Sequence, residues 1–240
     1  MAIEVNNPPA SVEPFTADSP VPVRGFLHRP ATLSGDALVL THGAGSNCQA
    51  PLLAAVAEAF ANDGFLVLRC DLPYRQARPY GPPYRGESER DREGLRRALA
   101  ALRTAAPGVT RLFLGGHSYG GRQASILASE SSGEASALLL LSYPLHPPRK
   151  PSEMRTAHFP ALRTPVLFVH GTRDPFASSD EMAAALPLIA ARTSVLSIEG
   201  AGHDLLAGAK ARRPEALREL AERIGDAFLL LKRDAASSGL

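Results

Sequence analysis

Short apolar runs alternate along the chain with longer stretches rich in alanine, leucine and arginine. The apolar runs predict β-strands near residues 22–28, 37–41, 65–70, 111–115, 137–142, 165–170 and 194–198. From residue 37 onward these runs are mostly continuous, which is typical of parallel strands buried on both faces. The stretches between them predict helices at about residues 51–62, 87–105, 119–130, 179–190 and 214–231.

This alternation of strand and helix predicts an α/β fold, with a mostly parallel, doubly wound sheet flanked by helices. The sequence has no internal repeat and no long linker rich in proline, glycine and serine, so we expect a single domain over residues 1–240. Residues 1–12 or so and 233–240 carry no clear structural pattern, and we expect both ends to fray.

Composition excludes several classes of function. The chain is 45% hydrophobic, enough for a sizeable core, and its net charge of +2 argues against nucleic-acid binding. Cys48 and Cys70 cannot make a disulfide framework, and no metal-ligand spacing exists, so we expect no metal and no cofactor.

The first residues lack a secretory signal and no apolar run could span a bilayer, which predicts a cytoplasmic protein without membrane insertion. The arginine-rich stretch from Arg75 to Arg97 is interleaved with acids and predicts a solvated, salt-bridged helix face.

One predicted strand runs directly into the sequence Gly116-His117-Ser118-Tyr119-Gly120. In an open parallel sheet, ligands bind beyond the carboxyl ends of the strands. The spacing Gly-x-Ser-x-Gly between a strand and a helix predicts a nucleophile elbow, in which the serine occupies a strained turn that only very small neighbours permit. The alternative is a glycine-rich turn in which the serine caps the helix.

Two later strand ends supply the partners that a serine nucleophile needs. A serine hydroxyl is a poor nucleophile until a base takes its proton, and an acid must orient that base. Asp174 follows the sixth predicted strand and His203 follows the seventh, so the order after Ser118 is acid and then base. A helix cap for Asp174 and a surface turn for His203 are the structural alternatives. The three residues together predict a catalytic triad.

Two other acids stand near predicted strand ends. Asp71 follows the strand at 65–70 and is an alternative acid for the triad. Asp204 adjoins His203 and cannot easily fold back to orient its neighbour, so Asp174 is preferred.

An oxyanion hole needs backbone N–H groups aimed at the developing negative charge. We expect one from Tyr119, directly after the nucleophile, and one from Ala44, in the loop that follows the strand at 37–41. Gly45 is a fallback donor and an expected substrate contact. His42 is expected to brace this loop, and His117 to pack away from the crevice.

Three further residues are predicted to bind substrate. Arg75, with Arg78, follows the strand at 65–70 and could flank the crevice, where it would attract an acidic substrate. Tyr143 and His146 leave the carboxyl end of another strand and could line the pocket; a rigid, proline-braced loop is the alternative.

These motifs resemble the α/β-hydrolase superfamily over nearly the whole chain from about residue 21. The stretches THGAGSN, DLPYR, SYPLHPP, RTAHFPAL and HGTRDPF are similar to a small cap-less subfamily that includes testis-expressed protein 30 and related bacterial hydrolases. Dienelactone hydrolases are more distant relatives, and this chain has serine where they have cysteine at the elbow. The resemblance implies nucleophile Ser118, acid Asp174 and base His203. Lid domains of such enzymes insert before the sixth predicted strand, where this chain has only a short proline-rich segment.

The sequence thus predicts a serine hydrolase that cleaves a small carboxylic ester or thioester through an acyl-enzyme. A binding or scaffold module that keeps the fold without turnover is one alternative, because fold does not imply function. An acyltransferase or perhydrolase using the same triad is another. The substrate's acyl and leaving groups and the oligomeric state do not follow from the sequence.

Overall fold

The computed structural model describes residues 10–208 and 214–237. Within them, eight strands form one sheet: β1 (Ser11–Ala17), β2 (Val23–Arg29), β3 (Asp36–Thr41), β4 (Leu66–Cys70), β5 (Arg111–His117), β6 (Leu138–Leu141), β7 (Val166–Gly171) and β8 (Thr193–Ile198). The strand order is β1-β2-β4-β3-β5-β6-β7-β8. The pairs β1–β2 and β2–β4 are antiparallel and the others are parallel, which confirms the predicted sheet.

The helices of the described residues are α1 (Pro51–Asn62), α2 (Pro73–Ala77), α3 (Ser88–Ala105), α4 (Tyr119–Glu130), α5 (Ser179–Ala185) and α6 (Pro214–Ser237), with 3₁₀ turns at Phe159–Ala161 and Leu186–Leu188. They cover both faces of the sheet, so that two apolar clusters sandwich the strands. One cluster includes Leu99 of α3 and Leu127 of α4, and the other includes Phe60 of α1 and Phe228 of α6. Every residue of β3, β4, β6 and β7 is buried, as expected for strands covered on both faces.

Two elements, β1 and α2, were not predicted from the sequence pattern. β1 is an edge strand with mostly exposed side chains, held by backbone pairing with β2 from Ser11 opposite Arg29 onward. α2 has only five residues, too few to show a helical period, and begins where the N–H of Tyr74 donates to the Asp91 carboxylate at 3.1 Å.

Element ends also differ from expectation. Residues 11 and 12 were expected to fray but belong to β1, because their backbone pairs with β2, and residues 233–237 continue α6. Residues 1–9 and 238–240 lie outside the described part of the chain. The helix predicted to 190 ends at Ala185, because Pro187 has no N–H to continue the α-helical ladder and the chain turns to 3₁₀.

Ion pairs along α3 confirm the predicted salt-bridged face from Arg92 to Arg97, whereas Arg75 and Asp91 of the same stretch are buried. Arg97 contacts Glu93 at 2.7 Å and Arg96 contacts the same carboxylate at 3.5 Å, while Arg92 reaches Glu130 of α4 at 3.2 Å. The contact between Arg92 and Glu130 joins α3 to α4 on the outer surface.

The chain between β6 and β7 bears only the 3₁₀ turn Phe159–Ala161, so no cap domain covers the sheet in the described residues. No helix in that part of the chain has the length and apolar character needed to cross a bilayer.

Candidate active site

Ser118 occupies a strained turn between β5 and α4. Its φ of 50° and ψ of −114° lie outside the regions open to ordinary residues, a conformation that costs about 1–3 kcal/mol. A Cβ on Gly116 would lie 2.8 Å from the carbonyl carbon of Gly120, and one on Gly120 would lie 2.6 Å from the His42 carbonyl oxygen. Only glycine therefore fits at either position. The Ser118 side chain caps no helix amide, which argues against the capping alternative.

The hydroxyl of Ser118 lies at one end of a continuous hydrogen-bonded chain. His203 Nε2 is 2.8 Å from Ser118 Oγ, and His203 Nδ1 is 2.8 Å from Asp174 Oδ2 and 3.0 Å from Oδ1. The Asp174 carboxylate is fully buried, whereas the His203 ring is 22% exposed. A carboxylate can only accept, so Nδ1 carries the proton and Nε2 offers its lone pair to the Ser118 hydroxyl.

Neighbouring groups fix the positions of Asp174 and His203. Asp174 Oδ1 also accepts the N–H of Phe176 at 2.9 Å, and the Phe176 ring stacks on the His203 ring with centroids 4.1 Å apart. His117 Nε2 donates to the His203 carbonyl at 2.8 Å. Burial lowers the pKa of His117 to about 4, so this ring stays neutral at neutral pH. The sequence predicted that His117 packs away from the crevice; in the structure it lines the cavity beside Ser118 and braces the base.

The loop after β3 is held by hydrogen bonds from His42, in the loop itself, and from Tyr74 of α2. His42 Nδ1 donates to the Gly43 carbonyl at 2.9 Å. The single proton of the Tyr74 hydroxyl is shared between the carbonyls of Ala44 at 2.9 Å and Gly43 at 3.2 Å. In a trans peptide the N–H points away from the preceding carbonyl. The Ala44 N–H is therefore directed opposite to the bonded Gly43 carbonyl. The hydrogen bond from His42 to the Gly43 carbonyl confirms that His42 braces the loop.

The amides of Ala44 and Tyr119 have no protein acceptor within the described ranges. Both residues line the cavity that contains Ser118. The Tyr119 side chain turns away from the cavity, because its hydroxyl donates to Asp91 Oδ2 at 2.7 Å and its ring packs against Tyr74.

Arg75 does not line the cavity, contrary to prediction. It is buried, and its guanidinium donates to backbone carbonyls of Ser46 at 2.7 Å, Ala44 at 3.1 Å and Gly81 at 2.9 Å. These bonds tie the loop after β3 to the segment after α2. Arg78 is likewise engaged, in a bidentate pair with Glu87.

Tyr143 and His146 are also outside the cavity, which supports the rigid-loop alternative. Tyr143 is fully buried, its ring packs on Phe159 and Phe168, and its hydroxyl donates to the Arg155 carbonyl at 2.8 Å. His146 is buried between its bonds to Glu181 and the Pro147 carbonyl. Of the four predicted substrate contacts, only Gly45 lines the cavity.

The other candidate acids do not reach His203. Asp71 Oδ1 accepts the N–H of Cys48 at 2.7 Å, and Asp204 Oδ1 accepts the N–H of Leu206 at 3.1 Å. No cluster of three His, Cys, Asp or Glu side chains suited to a metal occurs among the residues that the structure describes.

The open cavity beside Ser118 has a volume of about 880 Å³. Several residues that line it were not predicted from the sequence, among them Phe176, Arg122 and Arg155. Phe176 comes two residues after Asp174, and Arg122 comes one helical turn after Ser118. Their positions next to the motif residues were therefore a signal that they lie near the site. Arg155 comes from the loop after β6, and no local signal placed it here.

Gly171, at the end of β7, lets the loops carrying Asp174 and His203 meet. A Cβ at this position would lie 2.5 Å from the carbonyl oxygens of both Ala201 and Gly202. We therefore expect Gly171→Ala to lower the free energy of unfolding by about 1–3 kcal/mol, because backbone must move to admit the methyl group. Urea unfolding measures this loss. Gly108→Ala is the matched control, since its Cβ would meet Leu33 at an ordinary 3.4 Å; equal stability of the two variants would contradict the steric argument.

Three solved structures share this architecture at low sequence identity. Dienelactone hydrolase from Anabaena variabilis superposes with a TM-score of 0.71 at 20% identity, covering 92% of this chain and 97% of that one. A lidless α/β serine hydrolase from Xanthomonas campestris gives 0.65 at 16% identity, with 92% and 96% covered. The esterase domain of a Rhodothermus marinus protein gives 0.64 at 17% identity, with 90% and 97% covered. These likenesses confirm the fold.

A family model described as "Alpha/beta hydrolase domain" matches residues 34–227, which is most of the chain. The match includes the elbow, Asp174 and His203. It confirms the superfamily to which the sequence motifs pointed and supports hydrolase activity in general terms. The chain belongs to the alpha/beta hydrolase domain family.

Proposed function

We propose that this protein is a serine hydrolase that cleaves a carboxylic ester or thioester through Ser118, His203 and Asp174. One observation carries the proposal: two 2.8 Å contacts link Ser118 Oγ to His203 and His203 to a buried carboxylate. The strained φ at Ser118 adds support, because strain of this kind persists where the surrounding structure enforces it and clusters at active sites. One sheet edge supplies every group, which supports a single catalytic domain.

The proposed reaction proceeds in two halves. His203 Nε2 takes the proton of Ser118 as Oγ attacks the substrate carbonyl carbon, and the N–H groups of Tyr119 and Ala44 stabilise the oxyanion. His203 then protonates the leaving alcohol or thiol, which leaves an acyl group on Ser118. Water deprotonated by His203 releases the acid and restores the enzyme. Asp174 stabilises the imidazolium that forms in each half.

The comparisons support this class of reaction without naming the substrate. The three structural neighbours are a dienelactone hydrolase, a serine hydrolase and an esterase domain by their descriptions. Because no cap covers the cavity among the residues that the structure describes, small or surface-presented acyl groups fit this site better than long lipid chains.

A fluorophosphonate probe tests the proposal, because it labels only a serine that a neighbouring base activates. We expect the folded protein to form one adduct, located on Ser118 by peptide mass spectrometry, and the urea-unfolded protein to form none. The same preparation should turn over members of a panel of short aryl esters and acyl thioesters. Absence of both labelling and turnover would favour the scaffold alternative, whereas product transfer to added alcohols or peroxide would favour the acyltransferase or perhydrolase.

A further inference from the structure

The cavity beside Ser118 has an unbalanced charge. Its described lining residues include three arginines, Arg85, Arg122 and Arg155, and no aspartate or glutamate. Arg85 is exposed at the surface, whereas Arg122 and Arg155 are half-buried. A pocket that concentrates positive charge without acidic partners attracts anions.

Arg122 and Arg155 are unlike the other arginines near the site. Arg75 is satisfied by backbone carbonyls, and Arg78 by Glu87. Neither Arg122 nor Arg155 forms an ion pair with any carboxylate in the described part of the chain. The Nε of Arg122 is buried and has no hydrogen-bond acceptor there. A buried donor without an acceptor costs free energy, so the Arg122 guanidinium is less completely satisfied than those of Arg75 and Arg78.

Both side chains start from rigid backbone. The N–H of Arg122 donates to the Ser118 carbonyl at 2.9 Å, so its Cα lies one helical turn from the nucleophile. The N–H of Arg155 donates to the Leu145 carbonyl at 2.7 Å, and its own carbonyl accepts the Tyr143 hydroxyl. The buried Tyr143 hydroxyl and the Leu145 carbonyl therefore fix the backbone of Arg155.

The two guanidinium groups also repel each other. Burial and then the charge of Arg122 lower the pKa of Arg155, while Tyr143 and, less strongly, Glu153 raise it; Glu153 is itself paired with Lys150. Burial, and then the charge of Arg122, lowers the pKa of His158 to about 4, so this neighbour adds no positive charge at neutral pH. Two like charges in a half-buried pocket favour a ligand that neutralises them.

We propose that Arg122 and Arg155 form a subsite for an anionic oxygen group, a carboxylate or a phosphate, carried by the ester or thioester substrate. This inference rests on the proposed hydrolase function and names its substrate class. The planar guanidinium forks suit bidentate contacts with either group. The sequence predicted that Arg75 and Arg78 attract an acidic substrate. The proposal assigns that role to Arg122 and Arg155 instead.

The kinetic test compares two substrates that differ only in charge: an aryl monoester of adipate, and the same ester with its free carboxylate methylated. We expect wild type to favour the anionic ester in kcat/KM. Arg122→Gln and Arg155→Gln should each reduce that preference about ten- to hundredfold, the range for a lost hydrogen bond to a charged group. Arg122→Lys should restore part of it. Arg97→Gln, on the outer face of α3, is the control and should leave the preference unchanged.

An equilibrium test separates this proposal from the proposed function. Calorimetric titration of the Ser118→Ala protein with monomethyl adipate and with methyl phosphate needs no turnover. Binding of either anion that is lost in the Arg122→Gln and Arg155→Gln backgrounds supports the subsite, and the tighter of the two identifies the group. If the probe labels Ser118 but the anionic preference is absent from wild type or survives both substitutions, the subsite is wrong and the hydrolase stands. Binding without labelling or turnover would keep the subsite and overturn the hydrolase.

Discussion

Replacing Ser118 or His203 with alanine is expected to lower kcat for an ester substrate by about 10⁵- to 10⁶-fold, and replacing both should cost little more. The reason is that the two residues perform one step. With no base at 2.8 Å from Oγ, the Ser118 hydroxyl keeps its proton, and with no Ser118 the imidazole has no nucleophile to activate. Steady-state kinetics of the two single variants and the double variant measure this.

Ser129→Ala is the matched control for that experiment. Its hydroxyl lies at the far end of α4 and donates only to the Ile126 carbonyl. It should retain wild-type kcat. Losses that multiply in the double variant would show that Ser118 and His203 act independently, and substantial turnover by Ser118→Ala would remove the nucleophile assignment.

Asp174→Asn should lower kcat by about 10⁴-fold with little change in fold. An asparagine amide can donate to His203 Nδ1, which would place the ring proton on Nε2 and prevent that atom from taking the proton of Ser118. The asparagine oxygen can still accept the N–H of Phe176, so the turn survives. Turnover and thermal unfolding of the same preparation separate loss of chemistry from loss of structure.

Two neighbouring carboxylates supply controls for Asp174. Asp204 adjoins His203 in sequence but bonds the Leu206 amide, and Asp71 bonds the Cys48 amide. Asp204→Asn should leave kcat near wild type. If Asp204→Asn or Asp71→Asn matched the loss in Asp174→Asn, the orienting acid would have to be reassigned.

The central strands were predictable because burial on both faces leaves an uninterrupted apolar run. β6 reads Leu138–Leu141 and is wholly buried. β1 gave no such signal, because an edge strand is held by backbone pairing, and its exposed side chains are free to be polar. α2 is too short for periodicity and depends on the distant carboxylate of Asp91, which no local pattern reveals.

The rule that ligands bind beyond the carboxyl ends of parallel strands predicted the sheet edge at which these side chains meet. It did not predict the direction in which each side chain points. Asp174 and His203 meet Ser118 there, as the motif order predicted. Tyr143 leaves the same edge yet turns inward, because Ser142 before it adopts a φ of 48° and Phe159 and Phe168 provide an apolar pocket. Turns of this kind depend on contacts far apart in sequence, and so did the placement of Arg155.

The short connection between β6 and β7 bears on the fate of the proposed acyl-enzyme. Enzymes that close over their substrate exclude water and so protect a reactive intermediate from hydrolysis. Here no described helix or strand covers Ser118, so solvent would reach an acyl group on Ser118 from the same side as any second substrate. Every acceptor other than water must therefore compete with the solvent for the acyl group. The open access of water to Ser118 favours hydrolysis of the acyl group over its transfer to another acceptor. An acyltransferase with this fold would need to bind its acceptor tightly.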